Sequence, residues 1–250
     1  MVPEMSGAAP VLQVTGLSKR FGGFVALADI DLEVTRGERL GLIGPNGSGK
    51  STLVNCLCGT LRNESGSVRF QGRVLDGMSA HQRTRLGVAR TFQLPRPFGT
   101  LTLAENLRIP ILYAVQTRGG GAGADIDRRC IMLLDMVGLR AKAAQLPKDL
   151  TQIEMRKLEL ARAMAAEPTL LIADEAMAGL SHQEVDDILA LLVRLNEEQG
   201  ITIILIEHIM RAVLSFSQRL VVLVAGRKIA DGDPRMVVRQ DDVVAAYLGS

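Results

Sequence analysis

The stretch GPNGSGKST, Gly44 to Thr52, constrains this chain more than any other. It fits G-x-x-x-x-G-K-[ST] through Gly44, Gly49, Lys50 and Ser51. It follows "RGERLGLIG", which reads as a strand, and opens "KSTLVNCLCGTL", which reads as a helix; the pattern needs that context. Glycines let the backbone close around a phosphate chain, so that N–H groups and the positive helix end point at it. Lys50 then reaches the β and γ phosphates of a nucleotide, and the Ser51 hydroxyl is placed to ligate Mg2+. Pro45, Asn46, Gly47, Ser48 and Thr52 complete the cradle.

On either side of this loop the chain alternates. "VLQVTGLSKR" and "FVALADIDLEV" have the period of strands, and "SGSVRFQGRVL" reads as a further hairpin. After Pro168 come "TLLIADE", "SHQEVDDILALLVRLNEEQ", "ITIILIEH", another helix and "RLVVLVAGRKIADG". Near-continuous apolar strands alternating with helices indicate a parallel sheet covered on both faces. Between Leu94 and Glu167 the texture is helical, broken at Pro95, Pro97, Pro110 and Pro147 and by the linker-like "RGGGAGAD". The expected organisation is one domain over residues 11–250. Residues 11–93 and 168–250 form its α/β core, and a helical portion, 94–167, is inserted between them.

Composition excludes several classes of function. The 250 residues are 47% hydrophobic and 22% charged, as in ordinary globular proteins. A formal net charge of +2, with 3% aromatic residues and no Trp, gives no footprint for nucleic acid. Cys56, Cys58 and Cys130 make neither an even disulfide framework nor a metal pattern, and read as small buried hydrophobes. Nothing resembles a signal peptide, and no apolar run approaches the ~20 residues that span a bilayer. The chain is therefore expected in the cytoplasm, where a membrane partner remains compatible with it.

"LLIADE", Leu170 to Glu175, reads as a strand beside the phosphate-loop strand, ending in two carboxylates at the sheet edge where ligands bind. There Asp174 would hold Mg2+ and Glu175 would orient and deprotonate an attacking water. Three further residues narrow the chemistry. Gln93, in "VARTFQL", closes a short strand where the helical portion begins. His208, one of three histidines, ends the strand after the Asp174–Glu175 strand and should face the same edge. Phe21, in "KRFGG", is an aromatic ahead of two glycines and suits stacking on a base.

With these residues the chain resembles the ATP-binding subunit of ABC transporters over nearly its whole length. Phe21 matches the adenine-stacking aromatic, GPNGSGKST the Walker A loop, Gln93 the Q-loop, "LLIADE" Walker B and His208 the switch histidine at the γ-phosphate. "ARTFQ", "LELARAMAAEP", "MAGL", "EHIMRAV" and "VVAAYLG" are similar to the subfamily that serves branched-chain amino-acid importers. The resemblance implies an α/β P-loop NTPase core of ABC type, with an antiparallel β subdomain and an inserted helical subdomain. It assigns Gln93 to nucleotide, metal and catalysis, His208 to nucleotide and catalysis, and "LPRPFGTLT" to a membrane subunit's coupling helix. It implies ATP and Mg2+, a second ATP-binding subunit, two transmembrane permease subunits and, indirectly, a periplasmic solute-binding protein. It also implies a position on the inner face of the membrane. A lipopolysaccharide-export ATPase and a soluble ABC-type ATPase stay open as alternatives.

The chain departs from the family where LSGGQ is expected to face the partner's ATP. That place holds Leu150, Thr151, Gln152, Ile153 and Glu154. Both glycines are gone and Glu154 adds a negative charge, while T-x-x-E makes a capping box for the helix that follows. Ser181 replaces the usual D-loop aspartate, opening a second capping box in "SHQE", and Ala176 stands where proline is common. An intact own site beside a degraded partner-facing segment implies a heterodimer.

Overall fold

A computed structural model describes residues 9–91, 96–114 and 123–248. Two sheets share the molecule. The smaller is antiparallel, with strands β1 (Leu12–Phe21), β2 (Phe24–Val34), β4 (Ser65–Phe70) and β5 (Arg73–Val74) in the order β2-β1-β4-β5. The larger contains β3 (Arg39–Ile43), β6 (Val88–Arg90), β7 (Leu170–Asp174), β8 (Thr202–Ile206), β9 (Arg219–Val224) and β10 (Arg227–Gly232). Its order is β10-β9-β3-β8-β7-β6, parallel except for the edge hairpin β9–β10. Helices α1 (Lys50–Cys58), α2 (Ala80–Leu86), α3 (Leu103–Ala114), α4 (Gly123–Met136), α5 (Gln152–Met164), α6 (His182–Gln199), α7 (Met210–Phe216), α8 (Pro234–Val237) and α9 (Asp241–Leu248) complete the chain.

Side-chain alternation on the central strands shows how the layers are held. Leu171, Ala173, Ile203 and Leu205 point into a core with α3–α6, including Leu107, Leu134, Leu158 and Leu192. Their neighbours Leu170, Ile172, Ile204 and Ile206 point the other way, into a core with α1 and the antiparallel sheet, including Leu53, Leu32 and Phe70. Strands with two buried faces need apolar residues at every position, which is why these runs are continuous.

Two sequence expectations are corrected. The Asp174–Glu175 strand does not lie beside β3, because β8 pairs with both and separates them. β7 and β8 are buried at all five positions alike, so their apolar character does not set their order; the pairing does, and it puts β7 one place further out. Pro110 also does not break its helix. It sits inside α3, where burial of Leu103, Leu107 and Ile111 outweighs the lost backbone bond. The glycine-rich linker falls mostly outside the described residues; its last residues, Gly123–Asp125, already open α4.

Both expected capping boxes form. At α5 the Glu154 N–H donates to Thr151 Oγ1 and the Thr151 N–H donates to Glu154 Oε2, at 3.4 and 3.0 Å. Ser181 and Glu184 repeat the arrangement at α6.

Candidate active site

Strand β3 delivers the phosphate loop to the carboxyl edge of the sheet. Two of its glycines answer to close approach. A Cβ on Gly44 would lie 2.1 Å from the Leu223 carbonyl oxygen, and one on Gly49, at φ +104°, would lie 2.7 Å from that of Ala26. The loop therefore packs backbone against backbone, and no larger residue fits. Its own carbonyls hold Lys50, whose ammonium donates to Gly44 O at 2.7 Å and Pro45 O at 3.1 Å. Burial lowers the Lys50 pKa, and the charges of Glu175 and Asp174 oppose that shift.

Opposite the loop, the His208 Nε2 meets Glu175 Oε1 at 2.9 Å. Glu175 is a non-glycine residue at φ +46°, and its N–H donates to the Ile206 carbonyl at 2.9 Å. Backbone this strained persists only where its surroundings hold it. Phe21 and Phe24 face each other across the β1–β2 hairpin, 50% and 63% exposed, and the Lys19 ammonium lies 5.5 Å from the Phe21 ring centre.

These residues line one cleft of about 250 Å3, walled by Phe21 and Phe24, floored by Asn46 to Thr52 and closed by Glu175 and His208. A larger groove of about 470 Å3, around Met132 and Met136, contains no comparable cradle or acid–histidine pair. Chemistry, and not volume, marks the smaller one as the site. Gly44 and Pro45 lie beneath the loop as acceptors for Lys50. Gln93 lies outside the described residues.

Asp174 does not line the cleft. It is buried, its Oδ2 accepts from Arg90 Nη2 at 2.6 Å, and its N–H donates to Thr91 Oγ1 at 3.2 Å. Arg90 also donates to Asn55 Oδ1 at 2.7 Å, which ties β6 to α1. Among the described residues no three His, Cys, Asp or Glu side chains cluster as a metal cage. A hydroxyl from Ser51 and one carboxylate are nonetheless the hard oxygen donors that suit Mg2+ at a phosphate, where phosphate oxygens and waters fill the remaining positions. The donor set fits.

None of the segment Thr151, Gln152, Ile153 and Glu154 lines the cleft, since it caps α5 elsewhere. The structure changes the reading of Glu154. Lys142 Nζ donates to its Oε2 at 2.7 Å, and together with the Thr151 contacts this holds the carboxyl below its ordinary pKa. Its charge is therefore largely compensated, and the expected repulsion toward a partner's phosphate is weaker than the sequence alone implies.

The sequence reading missed Arg90, Asn55, Phe24 and Glu207. A charged residue closing the buried strand β6, the second aromatic in "FGGF", and an acid between an apolar run and His208 were the available signals.

A parallel sheet whose central strand feeds a phosphate-binding loop, facing an acid–histidine pair, defines a P-loop nucleotide-hydrolysing domain. The chain belongs to the ABC transporter family, whose profile matches residues 27–178. Nucleotide is its ligand and ATP hydrolysis its reaction. It is 37% identical to the high-affinity branched-chain amino acid transport ATP-binding protein BraF of Pseudomonas aeruginosa, over 96% of this chain and 98% of that protein. A solved ATP-binding cassette of an ABC transporter in its ADP conformation superimposes with a TM-score of 0.86 at 28% identity, over 97% of this chain and all of that one. A dimeric cassette bound to ADP and Pi superimposes at 0.80 and 25% identity, over 90% of this chain and 99% of that one.

Proposed function

We propose that this chain is the subunit whose ATP hydrolysis energises an importer of branched-chain amino acids or related small organic solutes. The observation that supports it most is the single cleft that gathers the phosphate loop, the Glu175–His208 pair and two exposed aromatics. The similarity to BraF supplies the solute class. Phe21 stacks on the base, backbone N–H groups in the Asn46 to Thr52 stretch and the Lys50 ammonium receive the phosphates, and Glu175 accepts the proton of the attacking water. His208 holds Glu175 and the γ-phosphate in register. Gln93 contributes to nucleotide, metal and water from the start of the helical subdomain, residues 94–167. Ser51 and Asp174, with Gln93, would hold Mg2+, which when bound neutralises charge building on the phosphate oxygens. Catalysis on this reading is positioning and charge stabilisation, with no covalent intermediate.

The partners follow from the same reading: a second, different ATP-binding subunit, two transmembrane permeases and, through them, a periplasmic binding protein. No described helix is long and apolar enough to cross a membrane, so the chain would sit on the inner face through those permeases. The loop around Phe98 suits the docking. Asn106, fully buried, accepts from the Phe98 N–H at 2.8 Å and donates to the carbonyls of Phe98, Leu101 and Thr102. A loop pinned in this way passes on a displacement instead of absorbing it.

Co-purification with membrane subunits, followed by ATPase assays with a solute-loaded binding protein, tests the proposal. Stimulation by leucine, isoleucine or valine is expected. A chain that assembles with no membrane subunit refutes the transport role.

A further inference from the structure

Glu207 has no part in the chemistry proposed above, yet it is only 3% exposed and stands between the last residue of β8 and His208. Burial pushes its carboxyl up, and a buried acid must find donors. Its Oε1 accepts from the Met177 N–H at 2.8 Å. On one side of it, Ile206 O accepts from the Glu175 N–H at 2.9 Å, and on the other, His208 Nε2 meets Glu175 Oε1 at 2.9 Å. Three consecutive residues thus fasten the turn from Glu175 to Ala178 at three points.

That turn is strained at one end and tied to a helix at the other. Glu175 holds φ +46°, which a non-glycine residue keeps only when held. At the other end α5 grips the same turn, as the Ala178 carbonyl accepts from Gln152 Nε2 at 3.3 Å and Arg156 Nη2 at 3.1 Å. Arg156 is itself buried and its charge acts on both Glu207 and Glu175. Of the three fastenings on the β8 side, only Glu207 reaches past Glu175, to Met177 beside the carbonyl that α5 also holds.

We infer that Glu207 is a positioning residue, whose carboxylate holds the Glu175–Ala178 turn through the Met177 amide and so keeps Glu175 aligned with His208. The inference rests on the reading of Glu175 as the base. It separates Glu207 from mere core filling, because any group of similar volume would fill the space but only an acceptor at that distance would hold the amide.

The test compares Glu207→Gln, Glu207→Leu and Glu207→Asp in the full chain assembled with its membrane subunits, reading kcat, ATP affinity and melting temperature. Gln keeps the acceptor and is expected to keep turnover within about threefold of wild type, since the water and its base stay in place. Leu removes the acceptor and Asp withdraws it by one methylene. Each should lower kcat by roughly tenfold to a hundredfold, as expected for a misaligned base, with ATP affinity unchanged within about twofold. Should the Leu variant fail to fold, the Asp variant decides alone. Wild-type turnover in Asp and in any folded Leu variant overturns the inference, as does a loss of ATP affinity equal to the loss of kcat. Glu175→Gln in the same preparation separates the two levels. If it loses turnover while the Glu207 variants keep theirs, only the positioning role falls; if it keeps turnover, Glu175 is not the base and the positioning role falls with it.

Discussion

On the proposed function single side chains carry most of the chemistry, and their effects separate by which state they touch. Glu175→Gln keeps the shape of the residue and the phosphate cradle but removes the proton acceptor, so turnover should fall by about 10²–10⁴-fold while ATP still binds. Single-turnover rates beside equilibrium binding would show this, and near-normal turnover would remove Glu175 from the role of base. Lys50→Ala acts earlier. It deletes a cation that the loop carbonyls already hold in place, and the loss of charge-assisted bonds worth ~1.5–3 kcal/mol should weaken nucleotide binding itself. Phe21→Ala should raise the KM for ATP and spare kcat, because a lost stack of ~1–3 kcal/mol is shared by ground and transition states. An unchanged KM would mean that Phe24, its exposed neighbour across the hairpin, is the stacking ring. That Lys50, Glu175 and His208 meet in one cleft was legible because fixed spacing and strand ends announce it. The Arg90–Asp174 pair was not, since it joins side chains 84 positions apart and only the pairing of β6 with β7 brings them together.

Among the elements, α5 shows local sequence and charge acting together. Thr151 caps the helix and Glu154 returns the bond while pairing with Lys142, so Thr151→Ala should destabilise the chain by about 1 kcal/mol in thermal unfolding. The Glu154 contribution has a definite pH sign. Its carboxyl is held below the ordinary value by the Lys142 and Thr151 contacts, so the ionised form is favoured in the folded chain. That stability is complete above the unfolded carboxyl pKa of about 4.3 and is lost as pH falls through the lower folded value. The gap in melting temperature between wild type and Glu154→Gln should therefore hold steady from neutrality to about pH 5 and close as pH falls below the unfolded carboxyl value of about 4.3. A gap that persists unchanged in acid well below that unfolded value would show that the charge contributes nothing. The capping boxes were readable from four-residue patterns. The continuity of α3 through Pro110 and the place of β8 between β3 and β7 were not, because both depend on which apolar surfaces meet across the core.

At the scale of the whole molecule, the alternating α/β pattern was legible because a doubly covered sheet must be apolar at every strand position, whereas pairing between chains leaves no such trace in one sequence. The strongest signal about assembly is a departure, the segment Leu150 to Glu154. Glutamine and isoleucine stand where glycines would let backbone N–H groups approach a partner-bound γ-phosphate, and Gln152 is instead turned to the Ala178 carbonyl. With Glu154 paired to Lys142, the bulk of these side chains over their own N–H groups, more than repulsion, is what would make this segment a poor phosphate surface. If the second subunit carries an intact LSGGQ, the phosphate loop of this chain faces a competent surface and that of the partner faces a deficient one. Disabling Glu175 here should then abolish most turnover, while disabling the equivalent glutamate of the partner should cost much less. The isolated chain should hydrolyse ATP slowly and dimerise weakly with itself, since both of its sites would be completed by the deficient segment. ATPase rates for the two single-glutamate variants in the assembled complex, beside the isolated subunit, decide the matter. Equal losses in the two variants, or vigorous hydrolysis by the chain alone, would make the two sites equivalent and leave Leu150 to Glu154 as a helix cap that the dimer tolerates.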